Sequence, residues 1–257
     1  MLILLPPSEG KTPARSGRPI DLGSLSHPEL TPQREEVLEA LLALSSQPEA
    51  AAVLGVGDSL ATELARNTRL RTEPTAPATR VYTGVLFAAA GLDLLTGTAR
   101  RRANRSVRII SALWGVVSPA DRIPAYRLPM GARLPGLPSL ARHWAGPLDE
   151  ALKDDWGVVV DCRSGAYVPA WRPPSGTAWL SVRVVQEDDG VRTVVSHHAK
   201  HTRGVLTHHL LTRPGAPPRT SGQVLRAARE LVGSVLREAT LVPPRGDAAA
   251  TLELVLA

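Results

Sequence analysis

Cysteine is almost missing from this chain: Cys162 is the single one in 257 residues. A single cysteine excludes a disulfide within the chain and a cysteine-rich zinc module. Aromatic residues are also scarce, at 4%, so we expect aliphatic side chains to dominate the core. No apolar run approaches the roughly 20 residues of a membrane helix. The apolar N-terminal stretch has no basic lead, which predicts a strand rather than a signal peptide. These features favour a cytoplasmic protein without a membrane partner.

Repeats, low-complexity runs and linkers are missing as well. We therefore predict a single domain over residues 1–257, and an apolar content of 43% is enough to give it a real core. Short apolar runs alternate with helix-like segments. Leu2 to Leu5 and Trp156 to Asp161 are typical of buried strands, and the stretch from Thr31 to Leu44 has a helical apolar stripe. The chain should be an α/β protein.

The formal net charge is +6 and the pI is about 10.2, which points toward polyanions. Nearly all of the basic residues are arginine, and alanine and proline are abundant, so base composition alone would explain part of this balance. Charge by itself is therefore weak support for nucleic-acid binding.

The stretch from Val107 to Leu134 carries the most information. It begins as an apolar strand, breaks at Gly115, and continues into a loop framed by Pro124 and Pro129. Two prolines stiffen that loop because each fixes φ and removes a backbone donor. A stiff loop that carries Tyr126 and Arg127 suits a site. A plain connector beside a buried strand explains the same pattern equally well.

Five segments, in order, resemble those of the YaaA peroxide-stress family. They are Leu4-Leu5-Pro6-Pro7-Ser8-Glu9-Gly10-Lys11-Thr12, Val81-Tyr82-Thr83-Gly84, the Trp114-Gly115 to Met130 block, Asp161-Cys162-Arg163-Ser164-x-x-Tyr167, and Lys200-x-x-Arg203-Gly204. The fourth keeps the serine and tyrosine of the family pattern and changes the rest. The resemblance implies a mixed β-sheet flanked by helices, with an inserted helix-hairpin-helix at about residues 49–70. It also implies a role in peroxide stress and binding to double-stranded DNA.

The inserted element is visible in the residues. Gly55 and Gly57 lie between two helix-like pieces, where they would let a hairpin approach a DNA backbone closely. Contacts of this kind carry little sequence information. The residues predicted to contact DNA are Gly55, Gly57, Ser59, Arg66 and Arg69. Asp58 argues against the motif, since it brings a negative charge and can serve simply as a helix N-cap. A purely structural turn therefore remains the alternative.

The resemblance also implies that cations and hydroxyls from distant segments meet in one pocket. Its predicted members are Ser8, Lys11, Tyr82, Tyr126, Arg127, Arg163, Ser164, Tyr167, Lys200 and Arg203. Such a pocket would take a small anionic or nucleotide-like ligand. Lys200, Tyr167 and Ser164 are the catalytic candidates, and a crowded Lys200 would have a depressed pKa and could act as base or nucleophile.

Three other patterns are near misses. Gly10-Lys11-Thr12 follows Pro6 and Pro7, which have no amide hydrogens to hold a phosphate as a P-loop does. His197 and His201 share helical spacing, but no acidic residue completes a metal site. Cys162 follows a buried strand and is better explained as a packed residue. We expect neither a cofactor nor a metal.

The sequence as a whole therefore predicts a cytosolic peroxide-stress protein that binds duplex or distorted DNA through backbone contacts of a helix-hairpin-helix. The alternative is an enzyme that acts on a nucleotide, nucleobase or other small anionic substrate in the pocket.

Overall fold

The structure, a computed structural model, describes residues 1–57, 60–188, 190–244, 246 and 248–257, and describes residues 196 and 197 by their backbone alone. A mixed sheet of eight strands forms its centre. These strands are β1 (Leu2–Leu5), β3 (Val107–Ser111), β4 (Gly115–Val117), β6 (Val158–Asp161), β7 (Ala178–Asp188), β8 (Val191–Val194), β9 (Leu236–Val242) and β10 (Ala250–Leu256). Two short strands, β2 (Ala76–Pro77) and β5 (Arg122–Ile123), pair separately.

The sheet has the order β4-β3-β1-β6-β7-β10-β9, with β8 paired to β7. Its five central strands, β3, β1, β6, β7 and β10, run parallel to one another. β4, β8 and β9 pair antiparallel to their neighbours. The chain leaves β1 toward β3 and leaves β6 toward β7, so neighbouring strands send their connections in opposite directions. In open α/β sheets such a switch point leaves a crevice at the carboxyl ends of the two strands.

Nine α-helices surround the sheet within the described ranges. They are α1 (Thr31–Ser45), α2 (Ala50–Val53), α3 (Ala61–Asn67), α4 (Ala78–Val81), α5 (Val85–Ala90), α6 (Gly97–Ser106), α7 (Leu140–Ala151), α8 (Ser196–Thr212) and α9 (Ser221–Arg229). The apolar stripe of α1 is buried, and so is every residue of β1, because both elements lie against the core. No helix of the described part combines the length and the apolarity that crossing a membrane requires.

The loop around Gly115 is fixed by close packing. Trp144 of α7 donates from Nε1 to the carbonyl oxygen of Ala112 at 2.8 Å. Its ring lies so near Gly115 that a Cβ there would be 2.6 Å from the indole. Gly115 also has φ +69°, which other residues adopt with strain. Glycine is thus required at this position for space and for backbone conformation.

Hydrogen bonds from Arg34 also join α1 to the same loop. The fully buried guanidinium of Arg34 donates to four carbonyl oxygens, those of Ser26, His27, Trp114 and Val116. A planar group with five donors suits such a cluster of carbonyls. Arg34 therefore holds the residues on both sides of Gly115 in one arrangement.

The predicted α/β class and mixed sheet are confirmed, but two predicted elements are wrong. The apolar spacing from Gln223 to Leu236 predicts one helix, whereas α9 ends at Arg229 and Leu236 already begins β9. Leu231, Val232 and Val235 continue the helical spacing, but Gly233, with φ +86°, turns the chain. The alternation of apolar and polar residues from Thr251 to Leu256 predicts an edge strand. In fact β10 lies between β7 and β9.

Candidate functional site

A cavity of about 500 Å³ lies at the switch point, beyond the carboxyl ends of β1 and β6. The loop after β1, the start of α5, residues 127–131, residues 164–167 and α8 form its walls. Its volume is within the range of small-molecule sites. A larger cavity of about 720 Å³ lies between residues 172–179 and the segment around β9 and β10, and Arg172 is the sole ionisable side chain among its described lining. The predicted site residues do not meet there.

Seven of the ten residues predicted for the pocket line the smaller cavity: Ser8, Lys11, Arg127, Ser164, Tyr167, Lys200 and Arg203. They come from four separate segments of the chain, and four of them are cations. Glu9 is the one carboxylate among the described lining residues. The cavity therefore carries an excess of positive charge, which suits an anionic ligand.

The other three predicted residues do not line the cavity. Tyr82 and Tyr126 lie behind its wall, with their hydroxyl oxygens 3.0 Å apart and the Tyr126 hydroxyl 2.7 Å from Ser111 Oγ. Ser111 Oγ also accepts from the backbone amides of Leu113 and Trp114. Burial raises the pKa of both tyrosines, so their hydroxyls stay protonated. They form a hydrogen-bonded support for the wall.

Arg163 is likewise part of the framework. It is buried and forms a two-pronged ion pair with Asp161, with Nη2 at 2.6 Å from Oδ2 and Nε at 2.9 Å from Oδ1. Trp179 donates to the same carboxylate at 3.1 Å. A guanidinium held in this way shapes the end of β6 and has little capacity left for a ligand.

Lys11 lies in a crowded part of the wall. Its Nζ donates to the carbonyl oxygens of Ser8 at 2.7 Å and Glu9 at 3.4 Å, and lies 4.4 Å from the centroid of the Tyr126 ring. Among the described residues, it forms no ion pair with a carboxylate. Burial, followed by the nearby positive charge of Arg127, lowers its pKa from 10.5 to about 7, against the opposing charges of Glu63 and Glu9. At neutral pH a large share of Lys11 is therefore an uncharged amine.

Arg127 is positioned by α3. The side chain of Asn67 accepts from the amide of Arg127 at 2.9 Å and donates to its carbonyl at 2.7 Å, while Glu63 lies 3.7 Å from the guanidinium. The paired backbone bonds fix the loop between Pro124 and Pro129 against this helix. Arg127 is thus held at the cavity from the side of the predicted hairpin.

Two polar atoms at the cavity lack partners in the described part of the chain. The Oγ of Ser8 and the Nε of Arg127 are both buried and make no hydrogen bond. Ser8 is 6% exposed, and its hydroxyl lies against the Cα of Gly84. Buried polar groups are nearly always paired, so these two groups are available to hydrogen-bond a molecule in the cavity.

The last wall is α8, which contributes Lys200 and Arg203. Arg203 donates from Nε and Nη2 to the carbonyl oxygen of Val182 on β7, at 3.1 and 2.7 Å. Lys200 is exposed at the rim. Gly204 allows α8 to touch α5, since a Cβ at this position would be 2.3 Å from the Leu86 carbonyl oxygen. The Lys-x-x-Arg-Gly pattern therefore combines two cations with the helix contact that places them.

The catalytic candidates are spread around the cavity. Ser164 is exposed and immediately precedes the short 3₁₀ helix Gly165–Ala170, which begins beyond β6. Tyr167 lies in that helix, and burial raises its pKa to about 12. The neighbouring Cys162 does not reach the cavity, and burial raises the pKa of its thiol to about 12. A thiol that stays protonated is a poor nucleophile toward peroxide.

The predicted hairpin lies between α2 and α3. Gly55 has φ +61°, both glycines are exposed, and a Cβ at either would meet nothing within 4 Å. Val56 and Leu54 are buried and anchor the turn. Ser59 and Asp58 lie outside the described residues. The helix-hairpin-helix and its DNA contacts stay predictions.

The two predicted DNA-contacting arginines share one acidic partner. Glu73 lies 3.1 Å from Arg69 and 3.9 Å from Arg66. The neighbouring Arg71 pairs with Glu35 and Glu39. Glu73 and Arg66 are half-buried and the Arg71 pairs are exposed. All of these carboxylates reduce the net positive charge beside the predicted hairpin.

Asn67, Ser111 and Arg34 support the site, and sequence reasoning missed all three. Each acts on backbone groups or on a residue distant in the chain, which leaves no local pattern. The loop between Pro124 and Pro129 was the one available signal, because a stiff loop must be held by contacts with neighbouring residues. The residues that make these contacts could not be identified from it.

The structure defines an α/β protein with a cavity lined by basic side chains at the switch point of a mostly parallel sheet. A family model described as "Peroxide stress protein YaaA" matches residues 1–218, and the chain belongs to this family. It is 42% identical to a UPF0246 protein of Streptomyces coelicolor over 260 aligned residues, covering 100% of this chain and 98% of the relative. A UPF0246 protein of Corynebacterium efficiens is 44% identical over 234 residues, covering 89% and 92% of the two chains.

Proposed function

We propose that this peroxide-stress family member binds a small organic anion, of the phosphate-bearing, nucleotide-like class, in the cavity at the strand ends. One observation carries the proposal: Lys11, Arg127, Lys200 and Arg203 line a single cavity of about 500 Å³. Arg127, Lys200 and Arg203 carry positive charge, as does Lys11 in its protonated form, so the groups that face this space repel one another and an anion relieves that repulsion.

The unpaired atoms support the same function. Arg127 Nε and Ser8 Oγ are donors without partners in the described part of the protein. A phosphate oxygen accepts well from both groups, and hydrogen bonds with a charged partner are stronger than neutral ones. The apolar wall formed by Val85, Leu86 and Met130 would suit the organic part of the ligand.

Titration calorimetry with AMP and adenosine tests the proposal. We expect AMP to bind and adenosine to bind at least tenfold more weakly, because the phosphate makes the charged contacts. Arg127→Met should weaken AMP binding by about ten- to a hundredfold, as a charged hydrogen bond contributes about 1.5–3 kcal/mol and each 1.4 kcal/mol is tenfold. The exposed Arg142 of α7 provides the matched control, and Arg142→Met should bind AMP as the wild type does. Equal affinity for AMP and adenosine, or an unaffected Arg127→Met variant, would refute the pocket.

DNA binding at the hairpin is the second candidate, and the open surroundings of Gly55 and Gly57 favour it. Both glycines are exposed, so a sugar-phosphate strand can approach the backbone between α2 and α3. Arg66 and Arg69 would add contacts that weaken steeply with salt.

The hairpin is tested with a labelled duplex in a mobility-shift titration at two salt concentrations. Replacing both glycines with leucine should abolish binding, while the double variant's unfolding transition reports on its fold. The Arg142→Met variant again serves as the control. Binding that is insensitive to salt and to the glycine changes would exclude the hairpin as the contact surface.

A further inference from the structure

We propose that Lys11 is a nucleophilic amine that forms an imine with an aldehyde carried by a phosphate-bearing ligand. The proposal rests on the proposed function, because the cationic pocket must first hold the phosphate. It goes beyond that function by naming the reactive atom, Nζ of Lys11, and the reactive group of the ligand.

The hydrogen bonds of Lys11 fit a neutral amine. Its Nζ has two acceptors, the carbonyl oxygens of Ser8 and Glu9. An uncharged amine has two hydrogens to donate and keeps one lone pair, whereas an ammonium has three hydrogens and no lone pair. Among the described residues no carboxylate is within ion-pair distance to hold the charged form.

The surroundings of the Lys11 Nζ also favour the neutral amine. Nζ is walled by Tyr126 and lies near the guanidinium of Arg127, so protonation would place two positive charges together. At pH 7 about half of such an amine is neutral, against about one in three thousand for an ordinary lysine. Lys153 differs in its surroundings, since it is exposed and paired with Glu150.

The other groups of the cavity have separate tasks. Arg127, Lys200 and Arg203 remain as cations for the phosphate. The unpaired hydroxyl of Ser8 belongs to the residue whose carbonyl oxygen holds Nζ, so both groups share one stretch of wall. That hydroxyl can hydrogen-bond the carbonyl oxygen of the ligand while Nζ attacks its carbon.

The reaction balances without a further reagent. The lone pair of Nζ forms a bond to the aldehyde carbon, and the carbonyl oxygen gains a proton to give a carbinolamine. Loss of that oxygen as water, with a proton from the nitrogen, leaves the imine. Borohydride then transfers hydride to the imine carbon, and a proton from solvent gives a stable secondary amine.

An aldehyde beside a phosphate can come from a small phosphorylated metabolite or from the ring-opened sugar of an abasic site in DNA. The second source is compatible with the contacts between α3, which follows the hairpin, and Arg127. Both sources share the chemistry that the pocket would recognise.

Borohydride trapping with two probes separates these sources. Full-length protein is incubated at pH 7 with pyridoxal 5′-phosphate or with a duplex containing one abasic site, then reduced and mapped by mass spectrometry. The chain has three lysines, Lys11, Lys153 and Lys200, so the modified amine is readily assigned. We expect the adduct to form at least tenfold faster on Lys11 than on Lys153. On Lys11 it should form at least tenfold more slowly with pyridoxal, which has no phosphate, than with pyridoxal 5′-phosphate. Trapping of the duplex at Lys11 would assign the ligand to damaged DNA, and trapping of the free probe alone would assign it to a metabolite.

Variants and a non-reactive probe complete the test. Lys11→Arg places a permanent cation without a nucleophilic amine at this position and should lose the adduct, whereas Lys153→Arg should keep it. Adducts spread evenly over the lysines, or no adduct with either probe, would overturn the imine. Pyridoxine 5′-phosphate has an alcohol in place of the aldehyde. If pyridoxine 5′-phosphate binds while no imine is trapped, the anion pocket is supported and the nucleophilic role of Lys11 is refuted. If pyridoxine 5′-phosphate also fails to bind, the anion pocket is refuted too.

Discussion

The contact between α5 and α8 at Gly204 predicts a measurable effect on both stability and the pocket. A Cβ at this position would be 2.3 Å from the Leu86 carbonyl oxygen, 2.7 Å from Ala89 Cβ and 3.1 Å from the Ala90 amide nitrogen. All three atoms belong to α5 and are fixed by its backbone. Gly204→Ala therefore has to push the helices apart by about 1 Å before the closest contact reaches roughly 3.5 Å.

The size of the effect follows from two opposing contributions. Overpacking a tight contact costs about 1–3 kcal/mol, and the upper end applies here because no flexible side-chain tip can yield. Replacing glycine by alanine within a helix returns about 0.5–1 kcal/mol. We expect a net loss of about 2 kcal/mol in the free energy of unfolding. For a chain of this size that lowers Tm by about 4–8 °C, at roughly 2–4 °C per kcal/mol.

Urea unfolding of Gly204→Ala beside Gly222→Ala measures this. Gly222 is also helical, in α9, but a Cβ there would meet just one atom, an Arg226 guanidinium nitrogen at 3.9 Å. Gly222→Ala should therefore be as stable as the wild type or slightly more stable. Displacing α8 should also weaken AMP binding, because Lys200 and Arg203 lie on that helix. A Gly204→Ala variant with an unchanged urea midpoint and unchanged affinity would refute the argument.

Three further outcomes are expected. Arg34→Met should lower the free energy of unfolding by about 3 kcal/mol or more, since four carbonyl oxygens lose their donor. Arg34→Lys, whose ammonium has three hydrogens, should lose less stability. Equal urea midpoints for the two variants would contradict this. As pH falls through 7, Lys11 gains a proton between Arg127 on one side and Glu63 and Glu9 on the other, so AMP should bind more tightly while imine trapping slows. Calorimetry and trapping from pH 6 to 8 measure both, and Lys11→Met should flatten the binding profile; parallel changes would contradict the assignment. Cys162 should react with iodoacetamide in urea and not in the native protein, because it is buried and its pKa is raised.

The sequence was sufficient for the class of fold, and the residues it singles out include seven of the eight polar side chains among the described lining of the cavity. Buried strands such as Leu2 to Leu5 are recognisable because they are continuous apolar runs, and the carboxyl ends of such strands are expected to hold ligands. The prediction that Lys11 and Lys200 line one pocket came from the family resemblance, since no local spacing links residues so far apart. The Pro-framed loop indicated that Arg127 is held rigidly.

What could not be predicted depends on contacts between distant residues. Sequence reasoning names Lys200, Tyr167 and Ser164 as catalytic candidates, but it could not show that Lys11 lies near Arg127 and against Tyr126. Tyr126 was placed in the pocket because it adjoins Arg127, whereas its hydroxyl points to Ser111 and leaves it behind the wall. Such differences are decided by which side of a loop packs inward, and proline-rich segments have no periodicity that reveals it.

The predicted hairpin and Arg127 of the cavity both adjoin α3, and this links the two proposed functions. Asn67 and Glu63 both lie on α3, seven residues long and directly after the hairpin, and both contact Arg127. Glu63 partly neutralises the guanidinium that would receive a phosphate. A strand bound at Gly55 and Gly57 that shifted α3 would therefore change the charge which Arg127 presents to the cavity. Coupling of this kind is reciprocal, so an anion bound in the cavity would alter affinity at the hairpin by the same factor. α3 is therefore the element through which the two proposed sites would be coupled.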